Sequence, residues 1–272
     1  MSSKVLYDVK GPKGLFEMTW AEVSDALKKT DIVIVPVGST EQHGPHLPLG
    51  SDSIQATDMS KRVVEKLGRE GITVVSAPTI PFGVSYHHMK FPGTISISSS
   101  VLSALIKEIC KSLYTHGFRK FVLLLAHGGN LQTLKLVAQD LVLELPGASI
   151  LVPDWLPIMG AKYPEILRSD RPKDEHHSGE GETARMLAST PNLVMMEKAK
   201  AFYTDEKNDP YRRRPYTGSG GLEGGIWDMK DITPVGSMGN PLLATKETGE
   251  KLYAVVVDWL CQVIKAEFTA KK

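Results

Sequence analysis

The chain lacks most of the features that settle a protein's class at a glance. It has only two cysteines, Cys110 and Cys261, in 272 residues. Each lies in an amphipathic, helix-like stretch, so reduced, buried thiols in a cytoplasmic protein are expected rather than a disulfide framework. The longest apolar runs are strand-sized, far short of the ~20 residues that a membrane span needs. Met1 to Asp8 has no apolar core of a secretory signal. An excess of one charge is missing too: 32 basic residues face 31 acidic ones, for a formal +1. That balance speaks against nucleic-acid or anionic-membrane partners. No internal repeat is evident, and the lack of a Gly-x-Ser-x-Gly elbow and of a cysteine in a basic exposed setting argues against serine and cysteine nucleophiles.

What is present is an alternation of strand and helix signals. Thr19 and Glu22 have capping-box spacing and open a helix to about Lys29. A strand is expected at Ile32–Val37, a helix from near Ser53 to Gly68, and a strand at Ile72–Ala77. Leu102, Leu105, Ile106, Ile109 and Leu113 form a helical stripe that closes at Gly117. Phe121–Ala126 is wholly apolar, as in a central parallel strand covered on both faces. A helix at 131–145 and a strand at Ser149–Pro153 follow. Beyond residue 155 the pattern weakens to a polar stretch, a short helix near Glu180–Ala188, a loop-rich segment from about 205 to 242, and a last helix from Glu247 to about Phe268. The expected class is α/β: a single domain, residues 1–272, with a mostly parallel β-sheet sandwiched between helices.

The chemistry-bearing residues gather at the expected carboxyl ends of strands, where open α/β sheets carry their sites. Directly after Ile32–Val37, a Gly/Pro-rich turn holds Glu41, His43, His46 and Asp52. Carboxylate oxygen and imidazole nitrogen together suit a divalent cation, and three such ligands leave a position for water. Asp52 is also placed to cap the following helix. The second turn, His127-Gly-Gly-Asn130, adds His127 as a candidate ligand, with glycines that let backbone approach closely. A third cluster, Glu175 to Glu182, has two histidines and three carboxylates and could supply a proton shuttle, a further ligand, or both. A fourth loop, Tyr86 to Thr94, offers His87 or His88 to a pocket. Arg212–Arg214 could meet an anionic substrate group or a neighbouring subunit, although it lacks the surroundings of a P-loop.

At these residues the chain resembles the creatininase (creatinine amidohydrolase) family. The likeness is carried by Pro36 to Asp52, Phe91-Pro-Gly-Thr94, His127-Gly-Gly-Asn130, His177 to Thr183, Gly236 to Pro241 and Ala244 to Gly249, in family order. It implies a divalent-metal hydrolase of amide bonds other than peptides, assembled as a homohexamer. It implies one metal held by Glu41, Asp52 and His127. Asp52 then bridges to a second metal that His43 also holds, and His177 assists proton transfer. Creatinine-hydrolysing members carry a second-metal glutamate where this chain has Gly129. Either the second site is weak or absent, or another carboxylate serves it, with Glu182 as the candidate. Those members also place aromatic residues where Gly128 and Lys173 stand here, while Trp155 matches a pocket tryptophan.

The expected function is hydrolysis of a C–N bond in a small cyclic or formylated substrate. His177 and Glu182 would be catalytic, and His88, Gly128 and Trp155 would line the substrate pocket. Zn²⁺, Mn²⁺ and Fe²⁺ all suit the ligand set. The alternatives are metal-dependent opening of an inosose-type cyclic polyol ketone and a non-catalytic metal-binding assembly or regulatory protein.

Overall fold

A computed structural model describes residues 9–204 and 228–269. Met1 to Asp8 and the Arg212–Arg214 loop lie outside the described residues. Four strands, β1 (Ile32–Val37), β2 (Val75–Ser76), β3 (Lys120–Leu125) and β4 (Ser149–Leu151), form one sheet in the order β2-β1-β3-β4. Every pairing is parallel, with Ile32 to Val37 set against Lys120 to Leu125 in continuous register. The middle strands are apolar throughout because both faces are covered.

Alternation along those strands sorts their side chains into two cores. Ile32, Ile34, Val122 and Leu124 face α2 (Ser51–Arg69), α5 (Leu156–Ile166), α6 (Glu180–Ser189) and the long α8 (Lys246–Phe268). Val33, Val35, Val37, Phe121, Leu123 and Leu125 face α3 (Ser99–Thr115) and α4 (Leu131–Glu144). Two shorter helices complete the set: α1 (Trp20–Leu27), which opens on the Thr19–Glu22 capping box, and α7 (Met229–Ile232).

The structure departs from the sequence reading in four places. β2 is only two residues long, because Pro78 removes a backbone donor and restrains Ala77. β4 stops at Leu151, ahead of Pro153. Within the expected polar stretch lies α5, whose sequence contains Pro157, Gly160 and Pro164 and buries only Met159, so it has no apolar stripe to read. Finally, α2 begins at Ser51 with Gly50 as its N-cap, so Asp52 sits inside the first turn and does not cap.

The strand order positions the site. From β1 the chain passes through α2 to β2 on one side. From β3 it passes through α4 to β4 on the other side and over the opposite face. The two connections diverge beyond the carboxyl ends of β1 and β3, leaving a crevice at that switch point. No helix among the described residues is long and apolar enough to cross a membrane.

Candidate metal centre

Four segments meet in this crevice: the turn after β1, the first turn of α2, the end of β3 and the entry to α6. They bring together Glu41, His43, Asp52, His127, His177 and Glu182. Glu41, His43, Asp52 and His127 are buried, with exposures of 1–5%. Their ligand atoms form three overlapping triads, each within 4.8 Å: Glu41–Asp52–His127, His43–Asp52–Glu182 and Glu41–His43–His177. Asp52 belongs to the first two, with Oδ1 3.1 Å from His43 Nε2 and Oδ2 3.3 Å from His127 Nδ1.

Backbone carbonyls fix how each imidazole points. His43 Nδ1 donates to the Glu41 carbonyl at 3.1 Å, His127 Nε2 to the Val84 carbonyl at 3.0 Å, and His177 Nε2 to the Gln42 carbonyl at 2.7 Å. With that nitrogen protonated, the other presents a lone pair to the centre, an arrangement that orients metal-bound histidines. His127 Nδ1 lies 3.2 Å from Glu41 Oε2, and His43 Nε2 lies 3.8 Å from Glu182 Oε2. His177 Nδ1 stands 3.9 Å from both Glu41 Oε1 and Glu182 Oε2. Lone pairs facing carboxylate oxygens at these distances repel unless a cation lies between them.

The electrostatics point the same way. Burial opposes charge on His43, but Asp52, Glu182 and Glu41 outweigh it and push its pKa up to about 10. Burial likewise opposes charge on His127, yet Glu41 and Asp52 hold it well above the usual imidazole value. Burial also disfavours the Glu41 anion, but His127, His88 and His43 keep its carboxyl well below the ordinary range. His177 moves downward, through burial and the charge of His43. Without a metal, protons on His43 and His127 offset the carboxylates, a task a divalent cation would take over. Asp52 Oδ2 is buried and makes no hydrogen bond among the described residues. The donor set suits a divalent cation, and Glu41–Asp52–His127 and His43–Asp52–Glu182 are candidate ligand groups that share Asp52.

The remaining candidate residues divide by position. His88, Gly128 and Trp155 all line a cavity of about 710 Å³ that opens onto the centre. His88 also turns Nε2 toward Glu41 Oε1 at 3.4 Å, while Nδ1 accepts from Gln42 Nε2 at 2.8 Å, so it steadies a carboxylate as well as forming wall. Trp155 is pinned to the end of β3 by a 2.6 Å bond from Nε1 to the Leu125 carbonyl. Lys173 sits exposed at the rim. His46 is structural, bonded to Thr183 Oγ1 at 2.8 Å, and burial lowers its pKa to about 4.

Sequence reasoning missed several supporting residues. Ser39 donates to Glu41 Oε2 at 3.1 Å, and Asn130 ties Val84 N to the Gly38 carbonyl with two 2.9 Å bonds. Ser178 holds φ of 54°, and its N–H donates to Glu182 Oε2 at 2.6 Å, joining His177 to Glu182. Arg185, one turn beyond Glu182, is buried against the cavity. Its i,i+3 spacing from Glu182 was the available signal.

A family profile described as creatinine amidohydrolase matches residues 16–264. The chain belongs to the creatininase family. The mycofactocin precursor peptide peptidase of Mycolicibacterium smegmatis is 30% identical over 266 residues, spanning 97% of this chain and 96% of that one. The 3-dehydro-scyllo-inosose hydrolase of Thermotoga maritima is 27% identical, spanning 93% and 84%. The creatinine amidohydrolase of Pseudomonas putida is 26% identical, spanning 93% and 96%. Among solved structures, a creatininase described with Mn superposes with a TM-score of 0.73 at 26% identity, covering 94% of this chain and 99% of that one. A creatininase variant described as Zn-Zn type gives 0.70 at 26% identity, with the same coverage. This creatininase-family hydrolase thus has a relative named for a peptide, which reaches beyond the non-peptide amides expected from the resemblance.

Proposed function

We propose that this chain is a divalent-metal-dependent amide hydrolase with two adjoining cation positions. The observation that carries the reading is Asp52, whose two carboxylate oxygens face His127 and His43 on opposite sides. Glu41 and His127 complete one position, and His43 and Glu182 complete the other. Glu182 takes the role left open at Gly129. Divalent cations held this way acidify water and polarise a carbonyl oxygen.

The protein's own groups do the rest. His177 is held by the Gln42 carbonyl with its unprotonated Nδ1 turned to the cavity, where it can take a proton from the attacking water and pass it to the leaving nitrogen. Burial lowers its proton affinity, which favours release over retention. Glu182, steadied by Ser178 N, lies 3.9 Å from the same Nδ1 and orients the imidazole. Trp155, Gly128 and His88 form the walls that receive the substrate. The same cation geometry would serve opening of a cyclic polyol ketone, the reaction named for the Thermotoga relative, and this is the second reading.

The test is a panel of N-acyl amino acids, short peptides, creatinine and an inosose, assayed after chelation and after Zn²⁺ or Mn²⁺ is restored. Metal-dependent release of an amine supports the proposal. Turnover that persists in metal-free protein, or is confined to the inosose, overturns it.

A further inference from the structure

The cavity beside the metal centre contains a cation that the proposed chemistry does not use. Arg185 is 2% exposed and lies on α6 one turn after Glu182. A buried guanidinium cannot shed its proton, so it needs acceptors. Arg185 Nε donates to Gln55 Oε1 at 2.5 Å, and Nη1 meets the thioether of Met159 at 3.1 Å. The guanidinium also interacts with the Tyr163 hydroxyl, and Nη2 stands 3.8 Å from Glu182 Oε1. The group lies 5.6 Å from the Trp155 ring. Other acids nearby are already engaged: Glu175 accepts from Tyr203 Oη, Glu180 N and Asn240 N.

This leaves an imbalance once the centre is loaded. The one carboxylate within ion-pair distance of Arg185, among the described residues, is Glu182. Its other oxygen faces His43 at 3.8 Å, in the second cation position. Glu182 cannot fully neutralise both a divalent cation and Arg185. A ligand carboxylate supplies the missing charge, and its two oxygens match the guanidinium fork.

We propose that Arg185 is the anion-recognition residue of this pocket and that the substrate bears a carboxylate close to the bond being cut. The proposal rests on the amide-hydrolase reading. Among the described residues Glu182 spans the gap between Arg185 and the second cation position, so the carboxylate lies one or two chain units from the centre, at about 3.8 Å per residue. That spacing describes an N-acyl amino acid or the C-terminal residue of a short peptide. Trp155, Leu156 and Met159 make the adjoining wall apolar, which suits an apolar or aromatic side chain on that residue. The reaction balances with water alone: the acyl carbon gains hydroxyl, the C–N bond breaks, and the nitrogen takes the proton.

Two measurements on the metal-loaded protein test this. The first compares acetate release from N-acetylphenylalanine and from its carboxamide. Wild type should favour the carboxylate by roughly 10- to 100-fold in kcat/KM, as expected for a hydrogen bond to a charged group. In Arg185→Gln that ratio should fall toward one, mainly through KM, with Arg185→Lys in between. The second is calorimetric binding of 3-phenylpropanoate against 3-phenylpropanamide, neither of which presents an N-acyl bond. Wild type should prefer the anion, and Arg185→Gln should lose the preference. No preference in wild type, or an undiminished one in Arg185→Gln, overturns the proposal, and the wild-type comparison stands even where a variant does not fold. Anion preference in binding without any acetate release would keep the Arg185 site and remove the amide-hydrolase reading.

Discussion

A Cβ added at Gly129 would lie 2.4 Å from His127 Nε2 and 2.4 Å from the Val84 carbonyl oxygen. These are the two atoms of the hydrogen bond that aims His127 at Glu41 and Asp52. Position 129 is therefore closed to any side chain while His127 keeps its place. Gly129→Glu should not rebuild the glutamate site of creatinine-hydrolysing relatives. It should displace His127, lower bound metal and fail to confer creatinine hydrolysis. Gly129→Ala should already lose metal, since forcing even a methyl group into packed surroundings costs about 1–3 kcal/mol. Elemental analysis of purified variants checks this; full metal content in Gly129→Glu would show that the loop yields.

The shared position of Asp52 predicts unequal losses. Asp52→Ala removes a ligand from both proposed cation positions and should leave the protein without bound metal. Glu182→Gln weakens only the position it shares with His43, so about half of the metal should remain. His177→Ala should keep all of it while turnover falls ~10²–10⁴-fold, the usual range for a lost general acid or base. Elemental analysis beside steady-state kinetics separates the three, and equal metal loss in Asp52→Ala and Glu182→Gln would contradict the bridging arrangement.

Much of this was legible because the centre sits at strand ends. β1 and β3 are unbroken apolar runs, and a polar residue directly after such a run falls at the site-bearing edge of the sheet. Glu41, His43 and His127 were readable for that reason. Arg185 was not, because an arginine on a helix reads as surface until the helix is placed against α2 and α5. The closure at Gly129 was hidden too, since a glycine shows freedom in sequence and shows a close approach only in three dimensions. α5 escaped because its two prolines and glycine leave no periodic apolar face.

Ser178 carries a cost that a single substitution can release. Its φ of 54° is left-handed, which costs a non-glycine residue roughly 1–2 kcal/mol. Its hydroxyl is buried without a hydrogen-bond partner among the described residues. The backbone N–H that holds Glu182 does not depend on the side chain. Ser178→Gly should therefore stabilise the fold by about 1 kcal/mol after the unfolded-state entropy of glycine is counted. A thermal melt should rise by ~2 °C. A lower Tm would mean that the serine side chain contributes more than its backbone strain costs.

The two cysteines set a limit at high pH. Burial pushes the Cys110 thiol from 9.0 up to about 12, and burial pushes Cys261 up to about 11. A folded-state pKa above the unfolded value means that the fold favours the neutral thiol. That contribution is complete below pH 9 and is lost progressively as pH rises from 9 toward 12. Below pH 9 the thiolate is scarce as well as covered, so both cysteines should resist a thiol reagent in native protein and react only on unfolding. Titration with a chromogenic disulfide at pH 8, with and without denaturant, reads this directly. Denaturant midpoints collected from pH 8 to 11 should fall across the same window. Rapid native labelling of Cys110 at pH 8 would show that the core between α3 and β3 opens far more readily than its packing implies.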